Sequence, residues 1–91
     1  MSVKHLDPYA ARLQAAAKEL QHLIRQVYPA ATFQVVSGED PAGTYVLATV
    51  DVEDTDMVVD VYIDRLLELQ IDEGLPVYVV PVRPLARVLA P

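Results

Sequence analysis

Carboxylates recur at every fourth position between residues 56 and 72, at Asp56, Asp60, Asp64, Glu68 and Asp72. In an α-helix, residues four apart are neighbours, so like charges at this interval repel one another. Grouped carboxylates can support acid–base catalysis, the binding of hard cations or the docking of a basic partner. The remaining interpretation is a solvated helix face without a further role.

Helix geometry makes this acidic series tolerable. Each step of four residues turns about 400°, so each carboxylate drifts about 40° and the first and last end about 160° apart. The carboxylates therefore spiral over the half of the helix opposite its apolar arc. Each like-charge step costs about 0.2–0.5 kcal/mol before screening, which burial of the apolar arc can offset. A solvated face is thus the simplest interpretation.

Apolar residues lie among the acidic ones on the same half of this helix. Apolar side chains rimmed by charge are typical of contact surfaces. A basic protein would suit such a surface, whereas a second copy of the chain would have to separate or neutralise its own carboxylates. We name this surface the acidic helix face and interpret it as a candidate for a basic protein partner; it comprises Met57, Asp60, Val61, Asp64, Leu67, Glu68 and Ile71.

The last acidic residues also lie where the helix dipole is unfavourable. Glu68, Asp72 and Glu73 fall at the C-terminal end of the predicted helix, where the macrodipole favours cations. We expect basic side chains from elsewhere in the chain to neutralise them, and the candidates are Lys18, Arg25, Arg83 and Arg87.

Metal binding and catalysis form the third hypothesis. The run DVEDTD, residues 51–56, clusters carboxylates that suit Mg²⁺ or Ca²⁺ but lacks the spacing of an EF-hand loop. His5 and His22 lie 17 residues apart, there is no cysteine, and no G-x-S-x-G surrounds a serine. We therefore expect no catalytic activity, no cofactor and no dedicated metal ligands.

Charge and composition narrow the classes of partner. The formal net charge is −6, and residues 51–73 hold nine acids against one base. Because an acidic protein repels phosphate backbones, we expect no nucleic-acid partner. The N-terminus lacks the apolar run of a signal peptide, and no apolar stretch is long enough to span a bilayer. We expect a cytoplasmic protein without a membrane partner.

Apolar content predicts self-association. The 91 residues are expected to form one small domain, and 53% of them are hydrophobic. That is more apolar material than a monomer of this size easily buries. We therefore expect a homo-oligomer, specifically a dimer.

Two segments carry the apolar spacing of amphipathic helices. The first covers residues 8–27, with Pro8 suited to its first turn. The second covers residues 55–73 and would end at Gly74. For residues 55–63 a strand is a competing interpretation, because valines alternate there with acidic residues.

Three segments have the composition of β-strands. Residues 32–37 and 44–52 are rich in β-branched residues and flank a turn with two glycines, which predicts a hairpin. Residues 75–82 form a third predicted strand, and its prolines indicate an edge position or a bulge. The tail, residues 83–91, has no predicted structure.

The predicted order is α-β-β-α-β. The most economical arrangement is an α+β two-layer sandwich, in which two helices cover one face of a three-stranded sheet. The other sheet face would then be bare and partly apolar. We predict that it binds a second copy of the chain through Tyr45, Leu47, Tyr78 and Val80. The leading hypothesis is thus a small non-catalytic oligomerising protein. The alternative is an acidic adaptor or regulator that docks on a basic protein, and a carboxylate cation site is the third.

Overall fold

The computed structural model describes residues 8–39 and 41–86 and has the predicted order of elements. The elements are α1 (Pro8–Val27), β1 (Thr32–Gly38), β2 (Gly43–Thr49), α2 (Asp56–Leu67), a π-helical turn (Glu68–Asp72) and β3 (Val77–Val82). The α+β prediction is therefore confirmed. The competing strand interpretation of residues 55–63 is wrong, because α2 begins at Asp56.

The three strands form one mixed sheet in the order β1-β2-β3. The hairpin strands β1 and β2 are antiparallel, with Val35 opposite Val46, whereas β2 and β3 are parallel, with Val46 opposite Val79. The parallel pair needs a crossover connection, and α2 with its π-helical turn supplies it. Both β1 and β3 are edge strands, so the edge position predicted for the last strand is confirmed.

Both helices pack on the same face of the sheet. Side chains alternate between the two faces of a strand, and in β2 the alternate residues Val46 and Ala48 are fully buried. Helix α1 packs over β2 and β3, and α2 packs over β3. The core between the layers includes Leu20 and Ile24 from α1 and Val58 from α2, all with no exposed surface.

Helix α2 begins at an acidic cap. The Asp54 carboxylate accepts a hydrogen bond of 2.9 Å from the backbone N–H of Asp56. Negative charge at this end also complements the helix dipole. Asp7, which precedes α1 in the sequence, lies outside the described residues, as do residues 87–91 of the tail.

The helical segment ends in a π-helical turn that the sequence pattern does not predict. The N–H of Glu73 bonds to the carbonyl of Glu68, five residues earlier, at 3.2 Å. Gly74 follows with a φ of 65°, a conformation that glycine adopts without steric cost. The N–H of Leu75 then reaches back to the carbonyl of Leu69. The wider turn buries Leu69 while the chain reverses into β3.

Two predicted strands are longer than the observed ones. The second predicted strand extends to residue 52, but β2 ends at Thr49, because the N–H of Val52 bonds back to the carbonyl of Val50. The third was predicted from residue 75, but β3 begins at Val77, whose N–H bonds to the carbonyl of Leu75. In both places a tight local hydrogen bond replaces strand pairing.

Among the described residues, no helix combines the length and the apolar character needed to cross a lipid bilayer.

Candidate functional site

The sheet face opposite the helices is uncovered by any described residue. The observed register places three side chains from each strand on this face, with Gly38 and Gly43 at one end of it. We call it the open sheet face; it comprises Thr32, Gln34, Val36, Tyr45, Leu47, Thr49, Tyr78, Val80 and Val82. Six of these nine side chains are apolar or aromatic, and none is charged.

The structure brings together all four residues that the sequence assigned to an oligomer face. Tyr45 lies opposite Tyr78, and Leu47 lies opposite Val80, in adjacent rows of the β2–β3 pair. Val36 and Val82 extend the same surface, and the sequence analysis missed both. Alternation within β3 could have identified Val82, but Val36 required the register between β1 and β2.

Two tyrosine rings occupy one end of the open sheet face. The ring centroids of Tyr45 and Tyr78 are 5.0 Å apart, with the planes inclined at 31°, a separation at which aromatic pairs attract. The Tyr45 hydroxyl donates a 2.6 Å hydrogen bond to the carbonyl of Pro41 in the hairpin turn. The rings are therefore held in a fixed orientation that does not use the core.

Glycines in the two hairpin strands make room for these rings. A Cβ on Gly38 would overlap the Tyr45 ring, and a Cβ on Gly43 would meet both the Tyr78 ring and the carbonyl of Pro76. Rings that lie across strand glycines cover the backbone that glycine leaves bare. This explains why the turn is flanked by glycine on both sides.

Leu47 occupies the centre of the open sheet face. It lies in the middle strand and in the middle row, between Gln34 of β1 and Val80 of β3. Around it, Val80 and Val82 are 37% and 39% exposed. The open sheet face is thus apolar at its centre and carries no charged side chain at its edges.

The acidic helix face is directed away from the sheet and is exposed along its length. Met57, Leu67 and Ile71 are 56%, 44% and 73% exposed. Asp60 and Asp64 lie between them on the exposed side of α2, and no described residue forms an ion pair with either carboxylate. The seven predicted residues therefore share one accessible surface that mixes apolar side chains with negative charge.

Arg65 neutralises two of the three carboxylates at the end of the second helical segment, Glu68 and Glu73. Its guanidinium binds both oxygens of Glu19 on α1, with Nη2 at 3.1 Å from Oε1. It also lies 3.5 Å from Glu68 and 3.4 Å from Glu73. Arg12 approaches Glu73 at 3.6 Å and donates a hydrogen bond to its carbonyl. Through these contacts, two positions on α1, Arg12 and Glu19, are connected to the C-terminal end of the second helical segment.

The hydrogen bonds from Arg65 to Glu19, followed by the nearby charges of Glu19 and Glu73, raise the pKa of Arg65 above its ordinary value. Arg65 thus stays charged throughout the accessible pH range. The network is fully partnered, and we interpret it as a structural bracket between the helices.

Among the described residues, the basic residues expected to perform this neutralisation make no ion pair with these carboxylates. Arg25 stacks over the Phe33 ring, 4.9 Å from its centroid, and Arg83 donates a hydrogen bond to the carbonyl of Glu53. Lys18 makes no ion pair with a described residue, and Arg87 is outside the described ranges. The expectation failed because Arg65, on the acidic segment itself, projects toward α1 rather than toward solvent.

The chemically versatile residues do not assemble into a site within the described ranges. No three His, Asp or Glu side chains there approach closely enough to hold a metal ion, and the DVEDTD run is divided between a loop and the start of α2. His22 is exposed on α1, and His5 lies outside the described residues.

A groove of about 420 Å³ opens where α1 meets the sheet. It is lined by residues 27–32, residues 49–51 and Pro84. Most of the lining is apolar, and Asp51 is its one carboxylate. The groove thus offers a shallow apolar surface without a pair of groups suited to catalysis.

No protein-family model, curated protein or solved structure matches the chain.

Proposed function

We propose that this protein is a non-catalytic cytoplasmic protein that works as a homo-oligomer, whose basic unit is a dimer formed by packing two open sheet faces together. The observation that carries the proposal is the uncovered sheet face, on which six of nine side chains are apolar or aromatic and none is charged. A contiguous apolar patch of this kind is costly to leave in water and is typical of an interface. The chain has no cysteine and so needs no oxidising compartment to fold.

Sheet-on-sheet packing supplies a suitable geometry. Two sheets pack about 10 Å apart with their strands inclined by about 30°, and their inner side chains interdigitate. A two-fold axis near Leu47 would bring the same surface of each copy together, as a symmetric dimer requires. The tyrosines at one end and Val82 at the other would then flank an aliphatic centre.

The charge distribution supports this face over the others. The acidic helix face lies on the layer opposite the open sheet face, because α2 packs on the core side of the sheet. Face-to-face packing therefore places the two sets of carboxylates on the outer surfaces of the dimer. A chain of net charge −6 can thus associate without opposing its own acidic residues.

The experiment is light scattering after size exclusion at low and at high salt. An oligomer of the same mass in both is expected, because an apolar contact is not weakened by screening. The substitution Val80→Lys should at least halve the molar mass at a fixed concentration, since it brings a charge into the contact. A wild-type monomer throughout, or a mass that Val80→Lys leaves unchanged, would disprove the proposal.

A second candidate function is docking on a basic protein through the acidic helix face. It is favoured by the exposure of Met57, Leu67 and Ile71 beside the two carboxylates, Asp60 and Asp64, that have no cation partner among the described residues. Under this proposal the protein is an adaptor or regulator, and attraction to its partner falls as salt rises.

The test uses an amphipathic Lys/Leu helical peptide as the probe. The pair Asp60→Lys and Asp64→Lys should abolish binding measured by fluorescence anisotropy. The control pair Glu39→Lys and Glu53→Lys makes the same change in net charge outside this face, and it should retain most of the binding. If both pairs of substitutions reduce peptide binding equally, only the total charge matters and the docking proposal is wrong.

A further inference from the structure

The two edges of the sheet differ in how much hydrogen-bonding backbone they present. An edge strand carries a row of N–H and C=O groups that can pair with another strand, and natural proteins commonly block such rows. The directions of these groups follow from two hydrogen bonds at the two ends of the β2–β3 pair. The N–H of Thr44 donates to the carbonyl of Pro76, directly before β3, at 2.9 Å, and the N–H of Val50 donates to the carbonyl of Val82 at 3.0 Å.

The edge formed by β3 is blocked. Because backbone groups alternate in direction along a strand, residues 77, 79 and 81 direct theirs away from β2. The N–H of Val77 is bonded to the carbonyl of Leu75, and its C=O accepts a 2.8 Å hydrogen bond from the Gln70 side chain. Pro81 has no N–H. Of these three residues, only residue 79 keeps both groups free of hydrogen bonds to the part of the chain that the structure describes, so β3 cannot receive a further strand of useful length.

The edge formed by β1 is not blocked. The same alternation, carried through the β1–β2 register, directs the backbone groups of Phe33, Val35 and Ser37 away from β2. No described residue forms a hydrogen bond with these groups. The strand, TFQVVSG, contains no proline and no charged residue, and Val35 is 46% exposed. Within residues 8–39 and 41–86, this strand thus has no proline, no charged side chain and no bulge that would block pairing at its edge.

We infer that β1 pairs with β1 of a second copy, antiparallel, about a two-fold axis at Val35. This contact is separate from the open sheet face and does not depend on the proposed function. In this register the outward-directed residues pair with each other, Val35 with its own copy and Phe33 with Ser37, which gives about six hydrogen bonds between the chains.

The side chains are self-complementary in this register. On the side of the open sheet face, Gln34 lies opposite Val36 and Thr32 opposite Gly38, so no like charges meet. On the helix side, Val35 borders a groove of about 210 Å³ that is otherwise lined by Gln14, Ala17, Lys18 and Gln21 of α1. The Val35 side chain of the second copy would lie at the mouth of this groove, and the exposed Lys18 can extend into solvent.

Charge favours a second copy at this edge. The acidic segment, residues 51–73, belongs mainly to α2, which packs over β3 at the other edge of the sheet. Pairing through β1 therefore places the two acidic segments at the far ends of a six-stranded sheet. Opposed residues of an antiparallel pair project to the same side, so both open sheet faces would lie on one side of that sheet, free to pack as proposed above.

Disulfide trapping tests this contact, because the chain has no native cysteine. In the inferred register the two copies of Val35 have Cα atoms about 5.5 Å apart, within the range of a disulfide. Val35→Cys should therefore cross-link under mild oxidation at least about tenfold faster than Val27→Cys. Val27 is a matched control because it is similarly exposed, at 55%, but lies at the end of α1.

The register has its own control. In Ser37→Cys the two sulfur-bearing residues would lie about 14 Å apart along the strands, so this variant should cross-link no faster than Val27→Cys. Fast cross-linking at 37, or equal rates at 35 and 27, would overturn the inference.

Charge pairing gives a second and independent measurement. Val35→Lys and Val35→Glu should each fail to associate through β1, because like charges would oppose each other at the axis. Mixing the two variants should restore the contact as a mixed species in native mass spectrometry. Both variants should also carry Leu47→Lys, which removes the face-to-face dimer. The mixing experiment then distinguishes failure of the edge contact from failure of the proposed function. A mixture that stays monomeric would contradict the edge contact.

Discussion

At the scale of single residues, the tyrosines show how one residue type takes two roles. Tyr62 belongs to helix α2, whereas Tyr45 and Tyr78 belong to strands β2 and β3. Tyr62 packs in the core and is 3% exposed, whereas Tyr45 and Tyr78 form a ring pair on the open sheet face. Tyr62 lies on the side of α2 that packs in the core, whereas Tyr45 and Tyr78 lie on the sheet face that no helix covers.

Tyr62 predicts a pH dependence of stability. Burial raises the pKa of its phenol above the ordinary value of 10.0, so folding favours the protonated form. This stability is fully present below pH 10 and is lost as the pH rises through the folded-state pKa. Urea unfolding between pH 9 and 11.5 should therefore show a steeper fall for the native chain than for Tyr62→Phe. Parallel curves for the two proteins would count against this assignment.

At the scale of elements, much of the fold was predictable because each segment has a clear local pattern. The 3.6-residue period of α1 and the β-branched strands predicted the order. The helical spacing of Tyr62 and Leu66 favoured a helix over the competing strand, and the structure confirms the helix. The π-helical turn was not predictable, since it accompanies contacts with residues outside the helical segment, which the periodicity of that segment does not reveal. Gln70 bonds to the strand that follows, and Arg65 bonds to Glu19, 46 residues earlier.

The candidate site was predictable to a similar degree. Alternation along β2 placed Tyr45 and Leu47 on the same side of that strand. The two-residue spacing of Tyr78 and Val80 likewise placed both on the same side of β3. Adding Val36 required the register of the hairpin. The contrast between the blocked β3 edge and the open β1 edge depends on hydrogen-bond directions, which no sequence period encodes.

The junction of β2 with β3 predicts a difference between two glycines. Gly43→Ala would press its Cβ against the carbonyl of Pro76, a backbone atom that also accepts the Thr44 N–H. The strands would have to separate, at a cost of about 2–3 kcal/mol in unfolding free energy. Gly38→Ala meets only the Tyr45 ring, so the cost should be lower, about 1 kcal/mol.

Urea denaturation of both glycine variants at one protein concentration measures this difference, since association also contributes to apparent stability. If Gly38→Ala is the more damaging substitution, the close approach at Pro76 is not what requires glycine at position 43.

At the scale of the whole molecule, the chain divides its surface by charge. One layer carries the acidic helix face, and the other presents a neutral apolar sheet with one unprotected edge. Self-association through the sheet and, by the further inference, through β1 would leave the carboxylates on the outside of the assembly. The acidic series would then keep the oligomer soluble and remain accessible to a basic partner. Both uses are compatible, because they occupy different faces.

The central claim is that the open sheet face is the dimer contact, and sedimentation equilibrium of two matched leucine variants tests it most directly. Leu47→Lys places a charge at the centre of that face, whereas Leu67→Lys makes the same change on the acidic helix face. In a Val35→Lys background, which removes the edge contact, Leu47→Lys is predicted to raise the dimer dissociation constant at least about 100-fold, with circular dichroism confirming its fold. Leu67→Lys in the same background should leave the constant unchanged. The reverse pattern, or native association in Leu47→Lys, would contradict the claim.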